Sequence, residues 1–168
     1  PSWENHRALF EYAGFEVREY PYYDAASHGL DFDAMLGCLS GLPAGDVLVL
    51  HICCHNPTGV DLDLAQWQKV ATCCAERGLV PILDLAYQGF ADGIAEDAAP
   101  LRCFLDAGLN VLIASSFSKS FSLYGERIGA LTITTDDADQ TERVVSQVKR
   151  VVRTNYSNPP IHGGEIVR

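Results

Sequence analysis

Three short apolar runs punctuate the chain: Val47-Leu48-Val49-Leu50-His51-Ile52-Cys53, Leu79-Val80-Pro81-Ile82-Leu83-Asp84 and Val111-Leu112-Ile113-Ala114. Runs this short and continuous suit strands covered on both faces of a sheet. Between the first two, Leu64, Trp67, Ala71 and Cys74 recur at a spacing of three or four, and Gly78 stands where a helix would stop. The order is strand, helix, strand, a βαβ unit. Leu101, Phe104 and Leu105, followed by Gly108, repeat the helical pattern more briefly between the second and third runs, and Ile128 to Thr134 predicts a further strand. The expected fold class is α/β, a mostly parallel sheet flanked by helices.

Upstream, Asn5 to Ala13 and Asp31 to Leu39 read as helices flanking an extended Phe15 to Tyr20. Downstream, Val144, Val145, Val148, Val151 and Val152 lay a β-branched stripe along a helix that starts near Asp136. It must end before Asn158-Pro159-Pro160, because proline cannot continue a helix. No repeat, low-complexity tract or Gly/Ser/Pro linker divides the chain. Its 168 residues correspond to one domain or a large piece of one.

Composition narrows the function classes. With 48% apolar and 20% charged residues the chain can bury a core. Its formal charge of −10 argues against a sequence-independent grip on nucleic acid or on an anionic membrane. The apolar runs fall far short of the ~20 residues of a membrane helix. The first residues hold no initiating Met, basic stretch or apolar stretch, so a processed or partial chain without a secretory signal is expected. Six cysteines include the adjacent pairs Cys53-Cys54 and Cys73-Cys74, poorly spaced for bridging within a pair. Reduced thiols and a cytoplasmic location follow as expectations.

Open α/β sheets bind ligands beyond the carboxyl ends of their strands. After the first run comes His55-Asn56-Pro57-Thr58-Gly59, after the second Asp84-Leu85-Ala86-Tyr87, and after the third Ser115-Ser116-Phe117-Ser118-Lys119. A carboxylate, a phenol, an amide, hydroxyls and one amine would converge there, an assortment suited to a phosphorylated heterocycle. A partly desolvated Lys119 would lose proton affinity and could form a Schiff base, although an arbitrary lysine is usually a solvated surface group. Asp84, closing an apolar strand, needs a cationic or hydrogen-bonding partner, which a protonated pyridine nitrogen or a structural ion pair would supply. Ser116, Ser118 and Arg127 are anion-binding candidates. Trp3 offers a flat face for stacking, and core packing is its ordinary alternative.

Taken together, Trp3 and His6, His55 to Gly59, Asp84 to Phe90, Ser116 to Gly129 and Arg153 to Pro160 resemble, in order and spacing, the aspartate/aromatic aminotransferases of the class I pyridoxal-phosphate family. The resemblance runs from end to end of the chain. It implies that Lys119 is the internal aldimine lysine and proton shuttle, that Asp84 pairs with the pyridinium nitrogen, and that Asn56 and Tyr87 hydrogen-bond the phenolic oxygen. It implies further that Trp3 stacks on the ring, that Ser116, Ser118 and Arg127 hold the phosphate, and that His6 orients the aspartate, with His51 a candidate for the same network. Arg153 matches an arginine that in the family reaches across a homodimer interface to the distal carboxylate of aspartate or glutamate. Trp3 and Asn56 would also face the substrate. The implied reaction is pyridoxal 5′-phosphate-dependent transamination between an amino acid, aspartate or aromatic, and a 2-oxo acid such as 2-oxoglutarate.

Members of that family are longer. Residues 1–168 therefore correspond to part of the large cofactor-binding domain, without the N-terminal arm and the small C-terminal domain. No residue here is assigned to clamp the substrate α-carboxylate, so a non-catalytic fragment is one alternative. A second is a serine acyl enzyme, since Ser116-Phe117-Ser118-Lys119 satisfies S-x-x-K, but no K-T-G occurs in the chain. The cluster His51-Ile52-Cys53-Cys54-His55 invites a metal, yet neighbours in a strand point to opposite faces, and no metal site is expected.

Overall fold

The computed structural model describes residues 2–168. Helix α1 (Glu4–Tyr12) is followed by an extended stretch and a small hairpin of β1 (Tyr23–Asp24) and β2 (Gly29–Leu30). Then come α2 (Phe32–Ser40), β3 (Val47–His51), α3 (Leu64–Arg77), β4 (Val80–Leu85), α4 (Ile94–Asp106), β5 (Leu112–Ser116), β6 (Gly129–Ile133), α5 (Ala138–Asn155) and α6 (Ile161–Val167). The four main strands lie in the order β3-β4-β5-β6, with β3, β4 and β5 parallel and β6 antiparallel to β5. An α/β fold with a mostly parallel sheet is what the alternating patterns predict. The hairpin and α6 carry no pattern strong enough to announce them, and α4 begins well before its apolar positions.

Local chemistry sets the element ends. Asp63 caps α3 by accepting from the backbone N–H of Gln66, while the Gln66 side chain accepts from the Asp63 N–H. This reciprocal box satisfies two amides that the first helical turn leaves unpaired. Gly78 ends the same helix at φ 65°, a left-handed position that a Cβ would strain. Asp31 and Asp137 cap α2 and α5 in the same side-chain-to-backbone manner.

The core lies between the sheet and one helical layer, in which α3 packs against both α2 and α4. Trp67, Val70, Ala71 and Cys74 of α3 meet Leu48 and Leu50 of β3 and Leu83 and Leu85 of β4 in one buried cluster. Trp67 also packs on Phe104 of α4, ring centroids 6.0 Å apart. Burial alternates along β3 and β4 instead of covering both faces, a departure from the sequence expectation. The second face, with Val47, Val49, Ile82 and Ile113, is half-buried, and Leu131 of β6 is 56% exposed, because all three packed helices sit on one side.

The β4–α4 connection is held by one acid. Asp97, 4% exposed, accepts from the backbone N–H groups of Gly89, Ala91, Asp92 and Gly93 at 2.8–3.3 Å. Burial alone would push its carboxyl up, but the four donors outweigh burial and hold it below the usual carboxylate range.

Two outcomes are expected in urea denaturation. Phe104→Ala should cost about 3–5 kcal/mol, since the cavity opens in the middle of the Trp67 contact. Asp97→Asn should cost about 1–3 kcal/mol at pH 7 by breaking charge-assisted bonds. Because the folded carboxyl is depressed, its contribution is complete above the unfolded value near about 4 and is lost as pH falls through the folded value. The gap between parent and variant should therefore close on acidification below about pH 4.

Candidate functional site

Parallel pairing brings three strand ends to one edge of the sheet. His51 lies opposite Asp84 in the β3–β4 register, and Leu85 lies opposite Ser115 in the β4–β5 register. The loops that follow carry Asn56, Tyr87 and Lys119, so the topology places all three beyond the same edge.

The Asp84 carboxylate is met by α1. His6 Nε2 lies 2.9 Å from Asp84 Oδ2, with both side chains largely buried. The hydroxyl of Ser2 lies 2.9 Å from His6 Nδ1 and 3.0 Å from His51 Nε2, joining the two imidazoles through their far nitrogens. His51 Nδ1 is 3.9 Å from the same carboxylate oxygen. Burial pushes the His51 imidazole down from its ordinary value, against the pull of Asp84. The Trp3 and His6 rings meet at 84° with centroids 5.3 Å apart, and Trp3 is 42% exposed.

A third imidazole fixes the β3 loop. His55 is 2% exposed, stacks on Tyr22 with centroids 3.9 Å apart, and presents an edge to His51 at 4.6 Å. Its Nδ1 bonds the Thr58 hydroxyl at 2.8 Å, and burial pushes its pKa down to about 4, so it is neutral at pH 7. The Asp61 carboxylate accepts from the backbone N–H groups of Cys54 and His55, turning the chain so that Asn56 follows at the sheet edge. The Asn56–Pro57 peptide is cis, and the Asn56 amide has no hydrogen-bond partner among the described residues. Cys53 and Cys54 are free thiols whose pKa burial raises.

The β5 end supplies the amine and the hydroxyls. Lys119 is half-buried, its Nζ 4.8 Å from the Tyr87 ring centroid and 5.9 Å from that of Tyr124. It has no ion-pair partner among the described residues. Ser116 Oγ accepts from the Ser118 N–H at 3.2 Å, and Ser118 is 8% exposed. The β5–β6 pairing sets Gly129 opposite Ser116, where an added Cβ would come within 2.7 Å of the Ser115 carbonyl oxygen. That close approach closes the loop, and the Phe117 N–H donates to the Ile128 carbonyl at 3.1 Å across it. Arg127 adopts φ 56°, donates to the Tyr124 carbonyl at 2.8 Å and lies beside the Tyr124 ring. The S-x-x-K stretch occupies a strand end and a turn, not the helix that serine acyl enzymes would require.

Arg153 is not brought to this cluster. It lies exposed in the last turn of α5, where its guanidinium bonds the Ser157 hydroxyl. Sequence reasoning passes over Ser2, Asp61 and Tyr124. A serine bridging two distant imidazoles leaves no local signal, whereas Asp61, following the Pro57-Thr58-Gly59 turn, could have been read as a loop acceptor. A cavity of about 500 Å³ adjoins the cluster through Ser2, Trp3 and His6. It runs between the outer edge of β3 and the extended segment at 15–20, and neither Lys119, Asn56 nor Tyr87 lines it.

The whole chain, residues 1–168, matches the family model described as aminotransferase class I and II. It is 61% identical over 99% of its length to an aspartate aminotransferase of Pseudomonas aeruginosa and 51% identical to an aromatic-amino-acid aminotransferase of Escherichia coli. In each case it spans 42% of the relative's length. Among solved structures, an aromatic-amino-acid aminotransferase from Burkholderia pseudomallei, covalently bound to pyridoxal phosphate, superposes with a TM-score of 0.98 at 64% identity, over 99% of this chain and 42% of that one. With the fold, the full-length family match and these identities in agreement, this chain belongs to the class I and II aminotransferase family.

Proposed function

We propose that this chain is the central part of the large domain of a pyridoxal 5′-phosphate-dependent aminotransferase, which acts in the cytoplasm as a homodimer on aspartate, aromatic substrates or both, with a 2-oxo acid such as 2-oxoglutarate as acceptor. The observation that carries the reading is the pairing of a half-buried amine that has no ion-pair partner with a carboxylate anchored from behind by an imidazole, on adjacent strand ends. This donor set fits the cofactor. Asp84 is a fixed acceptor for a ring N–H, Asn56 and Tyr87 carry donors for a phenolic oxygen, and Ser116, Ser118 and Arg127 carry donors for a phosphate. Trp3 keeps a face open for stacking.

When bound, pyridoxal 5′-phosphate supplies a carbonyl carbon that condenses with amines and a pyridinium ring that accepts the electron pair released at the substrate Cα. Asp84 would accept the ring N–H, and His6 and Ser2 hold Asp84 in that orientation. Lys119 Nζ would be the group that takes a proton from the substrate Cα and returns it, since it stands half-buried at the strand end with no ion-pair partner among the described residues. Tyr87 and Asn56 stabilise the deprotonated phenolic oxygen. Arg153, exposed and forked, suits the distal carboxylate of a dicarboxylic substrate, presented to the site of a second subunit.

Borohydride reduction of the full-length protein with pyridoxal phosphate should tag Lys119, and peptide mapping that finds the tag on another residue overturns the reading. Asp84→Ala should lower kcat by about 10²-fold or more, since a preorganised charge is removed from the reacting ring. Tyr87→Phe should move the visible titration of the bound chromophore to higher pH, because the oxygen loses a donor that favours its anionic form. Arg153→Ala should reduce kcat/KM by about 10²-fold or more for aspartate and by less than about tenfold for phenylalanine, as measured by steady-state kinetics.

A further inference from the structure

We propose that the cofactor-free protein binds one divalent transition-metal ion, with Zn²⁺ the best match, through His6 Nε2, His51 Nδ1 and the Asp84 carboxylate. The sequence predicts that the His51-Ile52-Cys53-Cys54-His55 run closes no metal site and that the chain has none. The structure gathers a different set, from α1, β3 and β4, in which all three ligand atoms lie within 4.8 Å of one another.

The Ser2 hydroxyl bridges His6 Nδ1 and His51 Nε2, so both rings turn their other nitrogen toward Asp84. His6 Nε2 stands 2.9 Å from the carboxylate, whereas His51 Nδ1, on a side chain only 5% exposed, faces the same oxygen at 3.9 Å, beyond direct hydrogen-bond distance. A cation placed between them can take a lone pair from each ring and from the carboxylate. Ligands about 2.0–2.2 Å from a tetrahedral zinc lie about 3.3–3.5 Å apart. The 2.9 Å and 3.9 Å separations to Asp84 bracket that range, and the third pair lies within 4.8 Å, so closing the site draws the two imidazoles toward one another. Two imidazoles and one carboxylate suit zinc better than magnesium or calcium and leave its fourth position open.

In the metal-bound form His6 and His51 both donate their far N–H to Ser2 Oγ, and the hydroxyl proton of the exposed Ser2 turns outward. One oxygen thus orients both metal-bound rings, the role that partners of ligating histidines perform in metal sites. On the function proposed above Asp84 also serves the pyridinium nitrogen; a carboxylate whose charge is taken by the ion no longer holds a ring proton, so ion and cofactor exclude each other.

The test uses the full-length protein stripped of cofactor. Equilibrium dialysis with Zn²⁺ should find one equivalent bound, His51→Gln should abolish that binding, and Ser2→Ala should weaken it about 10–100-fold. Co²⁺ used as a probe should give a visible band without the near-ultraviolet absorption of a cobalt–thiolate bond. Unchanged zinc affinity in both variants, or a thiolate band, overturns the site; should His51→Gln fail to fold by circular dichroism, Ser2→Ala decides. Pyridoxal phosphate should release the zinc mole for mole. If zinc stays bound while borohydride still tags Lys119, mutual exclusion is overturned and the function stands. If zinc binding follows His51 and Ser2 while Lys119 is never tagged, the metal site stands and the function fails.

Discussion

A carboxylate near the end of a buried central strand has to be compensated, and the arrangement around Asp84 follows from that requirement. The strand beneath it contributes Leu83 and Leu85 to the core, so Asp84 cannot swing into bulk water without disturbing the chain that positions it. An unpaired neutral polar group there would cost ~2–7 kcal/mol, and an isolated ionised carboxylate more. His6 removes part of that cost from one side. It is itself fixed by Ser2, which is fixed by His51, which is buried against His55. Each group in the series is oriented by the next, so the carboxylate enters any chemistry already aligned, with little reorganisation left to pay for.

The backbone makes the same arrangement possible elsewhere along the edge. Asp61 ties the β3 loop through two amides, Asp97 ties the β4 loop through four, and the close β5–β6 approach at Gly129 ties the loop that carries Lys119 and Arg127. In each case an irregular segment obtains from a side-chain carboxylate, or from strand pairing, the backbone partners that a helix or sheet would supply. Functional side chains then project from loops whose own conformations are settled.

Much of the fold is legible in the pattern of apolar positions because the βαβ units impose two different periods on neighbouring segments. Gly78, Asp63 and Asn158-Pro159-Pro160 mark boundaries for local reasons, and local reasons are what a sequence displays. The hairpin at Tyr23–Leu30 and helix α6 lack such marks. The coverage of the sheet is misread for a different cause: Val47, Val49 and Ile82 look like core residues, but whether a face is covered depends on elements distant in sequence. The candidate site divides in the same way. Asp84, Tyr87, Ser116 and Lys119 announce themselves by following apolar strands, whereas Ser2 acquires its place only when α1 folds back across β3 and β4.

That contrast bears on how the site is partitioned in space. Asn56, Asp84 and Tyr87 hang from β3 and β4, whose inner faces share the Trp67 and Phe104 core, so their frame is built by the helical layer within this chain. Arg153 hangs from α5, a helix with no buried residue, and forms none of the loop cluster's hydrogen bonds. The outer edge of β3 pairs with no strand among the described residues and lines a cavity instead. Under the function proposed above, the amine and the carboxylate that flank one ring stand on the packed part of the chain, and the guanidinium proposed for the distal carboxylate stands on an unburied helix, where a long forked side chain can meet acceptors at different distances.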